Sequence, residues 1–257
     1  MIEGDPCLHG DYLRSLSCGG EDGLMADLFR DSIPHGGSVV DAGAFLGHHT
    51  LIAARQVGPG GRVMAFEPNP ASYRALRENV RENGYEKRVI ALPLGIGAWS
   101  GRRSFYFGDD DPHTGDLFVP ERWMEPEATR TVNFDSAIGG RAIDVVKLAV
   151  RGSEVEVLRG MRRTLELSPD VRLFVECDPT ALSRAGTSVE SLLEELRDLE
   201  LRTRVVDEER RELVPTGAWL DFVPGNVQLV CEPASVSRRL ARCVLGPRRE
   251  PAIAVPA

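Results

Sequence analysis

Apolar and polar positions fall into blocks along this chain, short β-branched runs alternating with helical periods. Ser38-Val39-Val40 is a compact apolar run closed by Asp41, the pattern of a strand buried on both faces. Gly43 and Gly47 bracket a turn, and Thr50-Leu51-Ile52-Ala53-Ala54 opens a helix over about 48–56. Pro59-Gly60-Gly61 leads into a second strand at 62–67, ending on Glu67. Asn69 as cap and Pro70 in the first turn start a second helix. It carries Tyr73, Leu76 and Val80 on one face, runs to about Asn83 and stops at Gly84. A third strand is expected near 88–93, after which Gly95, Gly97 and Gly101 loosen the chain.

Residues 102 to 140 break the rhythm. Ser104-Phe105-Tyr106-Phe107 and Arg130-Thr131-Val132-Asn133-Phe134 alternate as strands do, around a polar insertion at 108–116. A long insertion inside a compact domain usually carries function. The alternation then resumes with a strand over 143–150, a helix opened by Ser153 and Glu156 in capping-box spacing, and a strand at 171–176. A charged helix at about 187–200 and strands near 202–206 and 226–231 complete the pattern. Such alternation predicts an α/β fold whose ligand sits at the carboxyl ends of parallel strands.

The 257 residues fit one large domain with appendages. Three segments are expected: an N-terminal helical cap over 1–36, the main domain over 37–232 with its insertion at about 102–140, and a basic tail over 233–257. Leu24, Leu28 and Phe29 mark the helix of the cap. A net charge of −8 argues against nucleic acid as a partner. No apolar run is long enough to span a membrane, and the acidic start Met-Ile-Glu-Gly-Asp lacks the marks of a signal peptide. A cytoplasmic protein is expected. The five cysteines are widely spaced with no Cys-x-x-Cys pair, so reduced thiols and no metal site are expected. The arginines of the tail, Arg238, Arg239, Arg242, Arg248 and Arg249, read as a solvated face.

Strand, glycine turn and helix bring backbone N–H groups close to a ligand. Gly43 and Gly47 are spaced Gly-x-x-x-Gly and not Gly-x-Gly-x-x-Gly, which disfavours a nicotinamide dinucleotide. Glu67 ends the second strand twenty residues past Gly47. An acid there is placed to accept both hydroxyls of a ribose. The N-terminal helix is then expected to cover one side of the cofactor cleft.

Several stretches together resemble the FkbM-type methyltransferases. The run Val39 to Thr50 is similar to that family's first motif, and Ala65-Phe66-Glu67-Pro68-Asn69-Pro70 to its acidic second motif. Leu76-Arg77-Glu78-Asn79, the stretch Asp144 to Gly160 and Gly225-Asn226-Val227-Gln228-Leu229-Val230 extend the resemblance over roughly 37–232. The resemblance implies a class I, Rossmann-like fold: a seven-stranded, mostly parallel sheet with helices on both faces. It implies S-adenosyl-L-methionine as cofactor and methyl transfer to a hydroxyl of a sugar, polyketide or other small molecule. One departure stands out. Where the family has Lys-Ile-Asp-Val-Glu-Gly, this chain has Lys147-Leu148-Ala149-Val150-Arg151-Gly152, so two acids become Ala149 and Arg151.

The expected donor site comprises Asp41, Gly43, Ala44 and Gly47 along the methionine and ribose, Glu67 on the ribose hydroxyls, and Pro68 with a residue near Leu92 to Leu94 flanking the adenine. Asp41 has an alternative as a structural acid. Three bases are candidates: His113 in the insertion, His49 beside the glycine turn, and Glu176 at the tip of the fifth strand. Arg151 and Asp111 are candidate acceptor-binding residues, Arg151 through a carboxylate or phosphate. The competing reading is a catalytically degenerate S-adenosylmethionine-binding protein acting through a partner.

Overall fold

A computed structural model describes residues 2, 23–106, 126–218 and 225–234. His113, Asp111, the rest of the stretch 107–125 and all of the basic tail past Ala234 lie outside the described residues, as do Cys7, Cys18 and Cys243.

Among the described residues the elements begin with α1 (Leu24–Ser32), then β1 (Ser38–Ala42), α2 (His48–Val57), β2 (Arg62–Phe66), α3 (Pro70–Glu82) and β3 (Val89–Leu92). A second group follows: β4 (Gly95–Gly97), β5 (Gly101–Tyr106), β6 (Pro126–Asn133) and α4 (Phe134–Ile138). The chain returns through β7 (Val145–Leu148), α5 (Glu154–Gly160), α6 (Arg162–Glu166), β8 (Arg172–Cys177), α7 (Pro179–Arg184) and α8 (Val189–Asp198). It closes with β9 (Leu201–Asp207), β10 (Glu212–Pro215) and β11 (Val227–Pro233).

The main sheet has strand order β10-β9-β11-β8-β7-β1-β2-β3. β3, β2, β1, β7 and β8 are parallel neighbours, whereas β11 runs antiparallel to both β8 and β9. Among the described residues the sheet has the seven strands expected and an eighth at its edge. The addition is β10, a four-residue edge strand ending in Pro215 that pairs antiparallel with β9. So short a run with a proline gives no strand pattern in sequence.

Alternate residues of the central strands feed two cores. Val40, Ala42, Val146, Leu148, Leu173 and Val175 face the side of α5 and α8. Val39, Val145 and Phe174 face the side of α1 and α2. The insertion strands β5 and β6 pair with β4 into a separate three-stranded sheet. The glycines expected to loosen the chain at 95–97 instead form β4, and Gly160 of α5 packs onto the Gly97 carbonyl, 2.2 Å from where a Cβ would stand.

Local signals account for most helix ends. Asn69 accepts from the N–H groups of Ala71 and Ser72 at 2.8 and 3.1 Å, capping α3 as its sequence predicts. The capping box expected at Ser153 and Glu156 does not form. Ser153 sits at φ −86°, ψ 7° and makes no cap bond, while Glu156 pairs with Arg103 of β5 at 2.7 Å. Glu154 folds back instead and accepts from the N–H of Val150 at 2.9 Å.

α1 is capped from far away. Gly23 supplies no side chain, and the N–H groups of Leu24 and Met25 donate to the Glu208 carboxylate at 2.6 and 2.9 Å. Glu208→Ala is expected to cost about 1–2 kcal/mol, read as a lower thermal midpoint, because two helix donors and a favourable dipole contact are lost together. Phe29 of α1 lies edge-on to the rings of His49 and Phe174, with both centroids at 5.3 Å. No helix among the described residues is long and apolar enough to cross a membrane.

Candidate donor and acceptor site

The glycine turn follows β1 because the chain must reverse there without touching its neighbours. Gly43 has φ +78°, and a Cβ on it would stand 1.9 Å from the carbonyl oxygen of Ala149. The tips of β1 and β7 thus meet backbone to backbone. The N–H groups of Gly43 and Ala44 donate to the Phe66 carbonyl at 2.9 and 3.0 Å, which fastens the turn to β2. Gly47, at φ +95°, begins α2, and Leu76 of α3 fills the space beside it. Asn79 of α3 donates from Nδ2 to the Leu46 carbonyl at 2.9 Å. Phe45, a non-glycine residue at φ 50°, completes the turn. Ala44 is buried and Pro68 half-buried.

Glu67 stands at the tip of β2, facing this turn. Its two carboxylate oxygens accept from the N–H of Phe45 at 2.7 Å and the N–H of Asn69 at 2.8 Å. Each oxygen keeps a further lone pair for another donor. Burial pushes the carboxyl up to about 7, and Asp41 adds to the rise against those two N–H bonds.

Asp41 is 1% exposed and accepts from Thr50 Oγ1 at 2.6 Å. Burial raises its pKa, opposed by Lys147 and by the Thr50 bonds. Thr50→Val is expected to destabilise the fold by about 1–3 kcal/mol, measured by denaturant unfolding, since a buried carboxyl loses its hydroxyl donor. His49 is half-buried in the first turn of α2. Burial, then Lys147 and His48, hold its imidazole well below the ordinary histidine range. It is therefore unprotonated near neutral pH.

At the tip of β7, Arg151 has φ 53° and Gly152 φ +91°. Glu154 behind them is 2% exposed and pushed by burial up to about 7. Glu176 is half-buried at the end of β8 and accepts from Asn226 Nδ2 at 2.5 Å. Glu67, Asp41 and the glycine turn come together as one group. Lys147 acts electrostatically on both Asp41 and His49, while Arg151 lies in the turn after β7 and Glu176 on β8. Thr50, Asn79, Lys147 and Glu154 belong to the same surroundings and were not singled out as site residues. Asn79 lies within the motif Leu76 to Asn79, and Lys147 within that of β7, so the signal for both was present.

Among the described residues no cluster of three or more metal-binding side chains occurs. The residues do suit an adenosyl donor. A buried acid with spare acceptor capacity faces a positive-φ glycine turn at the carboxyl ends of parallel strands, the place such folds keep for nucleoside ligands.

The strand order and this acid-tipped second strand define a class I methyltransferase fold. Its backbone matches the solved structure of a protein named as an rRNA-methylase from Clostridium thermocellum at a TM-score of 0.50, with 14% identity over 80% of this chain and 92% of that one. The methyltransferase FkbM domain matches residues 41–203. The chain belongs to the FkbM methyltransferase family, which is S-adenosylmethionine-dependent. It is 28% identical to methyltransferase sdnD of Sordaria araneosa, over 51% of this chain and 62% of the relative's length. It is 27% identical to hexuronic acid methyltransferase AglP of Haloferax volcanii, over 73% of this chain and 70% of that protein.

Proposed function

We propose that the protein transfers a methyl group from S-adenosylmethionine to a hydroxyl of a small molecule such as a sugar, polyketide or other secondary metabolite. The observation that carries this reading is Glu67, a buried carboxylate with spare acceptor capacity beside the Gly43 turn. The name of AglP, a hexuronic acid methyltransferase, supports a sugar-like acceptor. Glu67 would hold the ribose, Pro68 would flank the adenine, and the Gly43–Gly47 turn would run along the rest of the donor.

When bound, the donor supplies a sulfonium-activated methyl, so the protein's task is placement and proton removal. Arg151 and Glu176 line the neighbouring strand tips, where an acceptor would lie. His49 and Glu176 are the described candidates for the base; His49 is unprotonated at neutral pH, but burial and Lys147 also weaken it as a base. Ala149 and Arg151 in place of acids favour the second reading, a donor-binding protein without transfer activity.

The test is mass spectrometry of hydroxylated acceptors, including hexuronic acid glycosides and their neutral counterparts, after incubation with the donor. Addition of one methyl to an oxygen, absent with Glu67→Gln, is the expected result. Tight donor binding with no transfer to any acceptor would favour the degenerate reading.

A further inference from the structure

The central strands end in a row of residues on the α1–α2 face of the sheet. Phe174 of β8 and Val230 of β11 are register partners, and both pack on that face. Further along the same ladder Glu176 is the partner of Gln228. Residues two apart on a strand point the same way, so this pair shares the face. β7 follows β8 as far as Leu148 beside Val175, so Ala149 comes next to Glu176 and adds only a methyl there. The Ala149 carbonyl abuts Gly43, and the row therefore runs outward from the glycine turn through Ala149 and Glu176 to Gln228. Asn226 Nδ2 donates to one oxygen of Glu176 at 2.5 Å. Among the described residues no donor reaches the carboxamide oxygen of Gln228, which is buried although the residue as a whole is half-buried. An oxygen that has left water without gaining a donor is destabilising. Its place, one strand beyond Glu176 in a row that starts at the donor turn, points to a donor carried by a ligand.

We propose that Gln228 sets acceptor specificity by receiving a second hydroxyl of the acceptor, next to the one methylated beside Glu176. The proposal rests on the hydroxyl-transfer reading above. Neighbouring strands stand about 4.8 Å apart, so Glu176 and Gln228 are spaced to meet two hydroxyls of one small ring. A hydroxyl is both donor and acceptor, and it gives the Gln228 oxygen the donor it lacks. Both residues present oxygens, so the pair suits a ligand rich in hydroxyls and not one that offers ketones, ethers or esters there. The acceptor class is therefore a polyol such as a sugar or cyclitol, and not a compound with one isolated hydroxyl.

The test is steady-state methyl transfer to methyl hexopyranosides, methyl hexuronides and their monodeoxy analogues, with cyclohexanol as the monohydroxy probe. Calorimetry for S-adenosylhomocysteine and thermal melts accompany it. The wild-type protein is expected to lose at least about tenfold in kcat/KM when the second hydroxyl is absent, mainly through KM. Gln228→Met keeps the length of the side chain. It lowers kcat/KM for the polyol to that of the deoxy analogue and leaves S-adenosylhomocysteine binding unchanged. Because it removes a buried oxygen that has no donor, the variant melts no lower than the wild type. A lower melting temperature makes the amide a structural group and overturns the inference. Equal use of polyol and monohydroxy acceptors by the wild type overturns it too, as does a hydroxyl preference that survives Gln228→Met. No transfer to any probe overturns the hydroxyl-transfer reading together with the inference.

Discussion

Gly43→Ala is expected to abolish donor binding and to cost at least roughly 3 kcal/mol of stability, the range reserved for strain combined with overpacking. The new methyl would stand 1.9 Å from the Ala149 carbonyl oxygen, and the obstacle is backbone. That carbonyl is held on both sides: the Val150 N–H of its own peptide plane donates to Glu154 at 2.9 Å, and the Ala149 N–H before it donates to the Ala42 carbonyl at 3.0 Å. The φ of +78° adds the ordinary penalty for a side chain in the left-handed region. The tips of β1 and β7 would have to part, and the turn that faces Glu67 parts with them. Gly84→Ala is the control. It also has a positive φ, +70°, but nothing lies within 4 Å of its Cβ position. It should cost only about 1 kcal/mol. Denaturant unfolding of both variants, with calorimetry for S-adenosylhomocysteine, separates steric from conformational cost.

Glu67→Gln is expected to weaken donor binding by at least roughly a hundredfold, since two ribose hydroxyls lose a charged acceptor. The wild-type protein should also show a pH signature that the variant lacks. Burial lifts the Glu67 carboxyl from the usual 4.5 to about 7. Ribose hydroxyls bind the ionised form better, so donor binding expels a proton and tightens as pH rises. Between pH 8 and pH 6 the affinity of the wild type should fall about tenfold, while that of Glu67→Gln stays flat. The stability of the donor-free protein moves the other way. A carboxyl whose folded pKa is raised is an advantage below its unfolded value and a burden above its folded one. Glu67 and Glu154 therefore draw stability down as pH climbs from about 4.5 to about 7. Thermal melts with and without S-adenosylhomocysteine across that window check both signs.

The central alternation was legible because each signal there is local. Val39-Val40 before Asp41, Asn69-Pro70 at a helix start and Gly84 at its end each fix an element through their own backbone preferences. β10 was not legible: Glu212 to Pro215 holds its place through the antiparallel ladder with β9 and has no alternation of its own. Ser153 and Glu156 had the right spacing for a capping box but answer to distant partners. Arg103 of the second sheet takes the Glu156 carboxylate, and Glu154 takes the role at the turn. At the site, the glycine turn and Glu67 could be placed from spacing alone. The burial of Asp41 could not, because Thr50 and Lys147 reach it only once β7 lies against β1. The likeness of Gly43 to a ligand-approach glycine was also only half of its meaning, since its nearest neighbour is the Ala149 carbonyl.

The cap on α1 bears on the order of events during synthesis. Glu208 lies 184 positions after Leu24, and Arg211, which pairs with Asp27 at 2.8 Å, is equally remote. A nine-residue helix is marginal on its own in water. At ribosomal speed its partners emerge roughly ten seconds or more after it does. The first helix among the described residues is therefore the last to be secured. Until then Phe29 leaves the face it shares with His49 and Phe174 uncovered, so the nascent chain holds an open flank beside its ligand cleft that the turn between β9 and β10 finally closes.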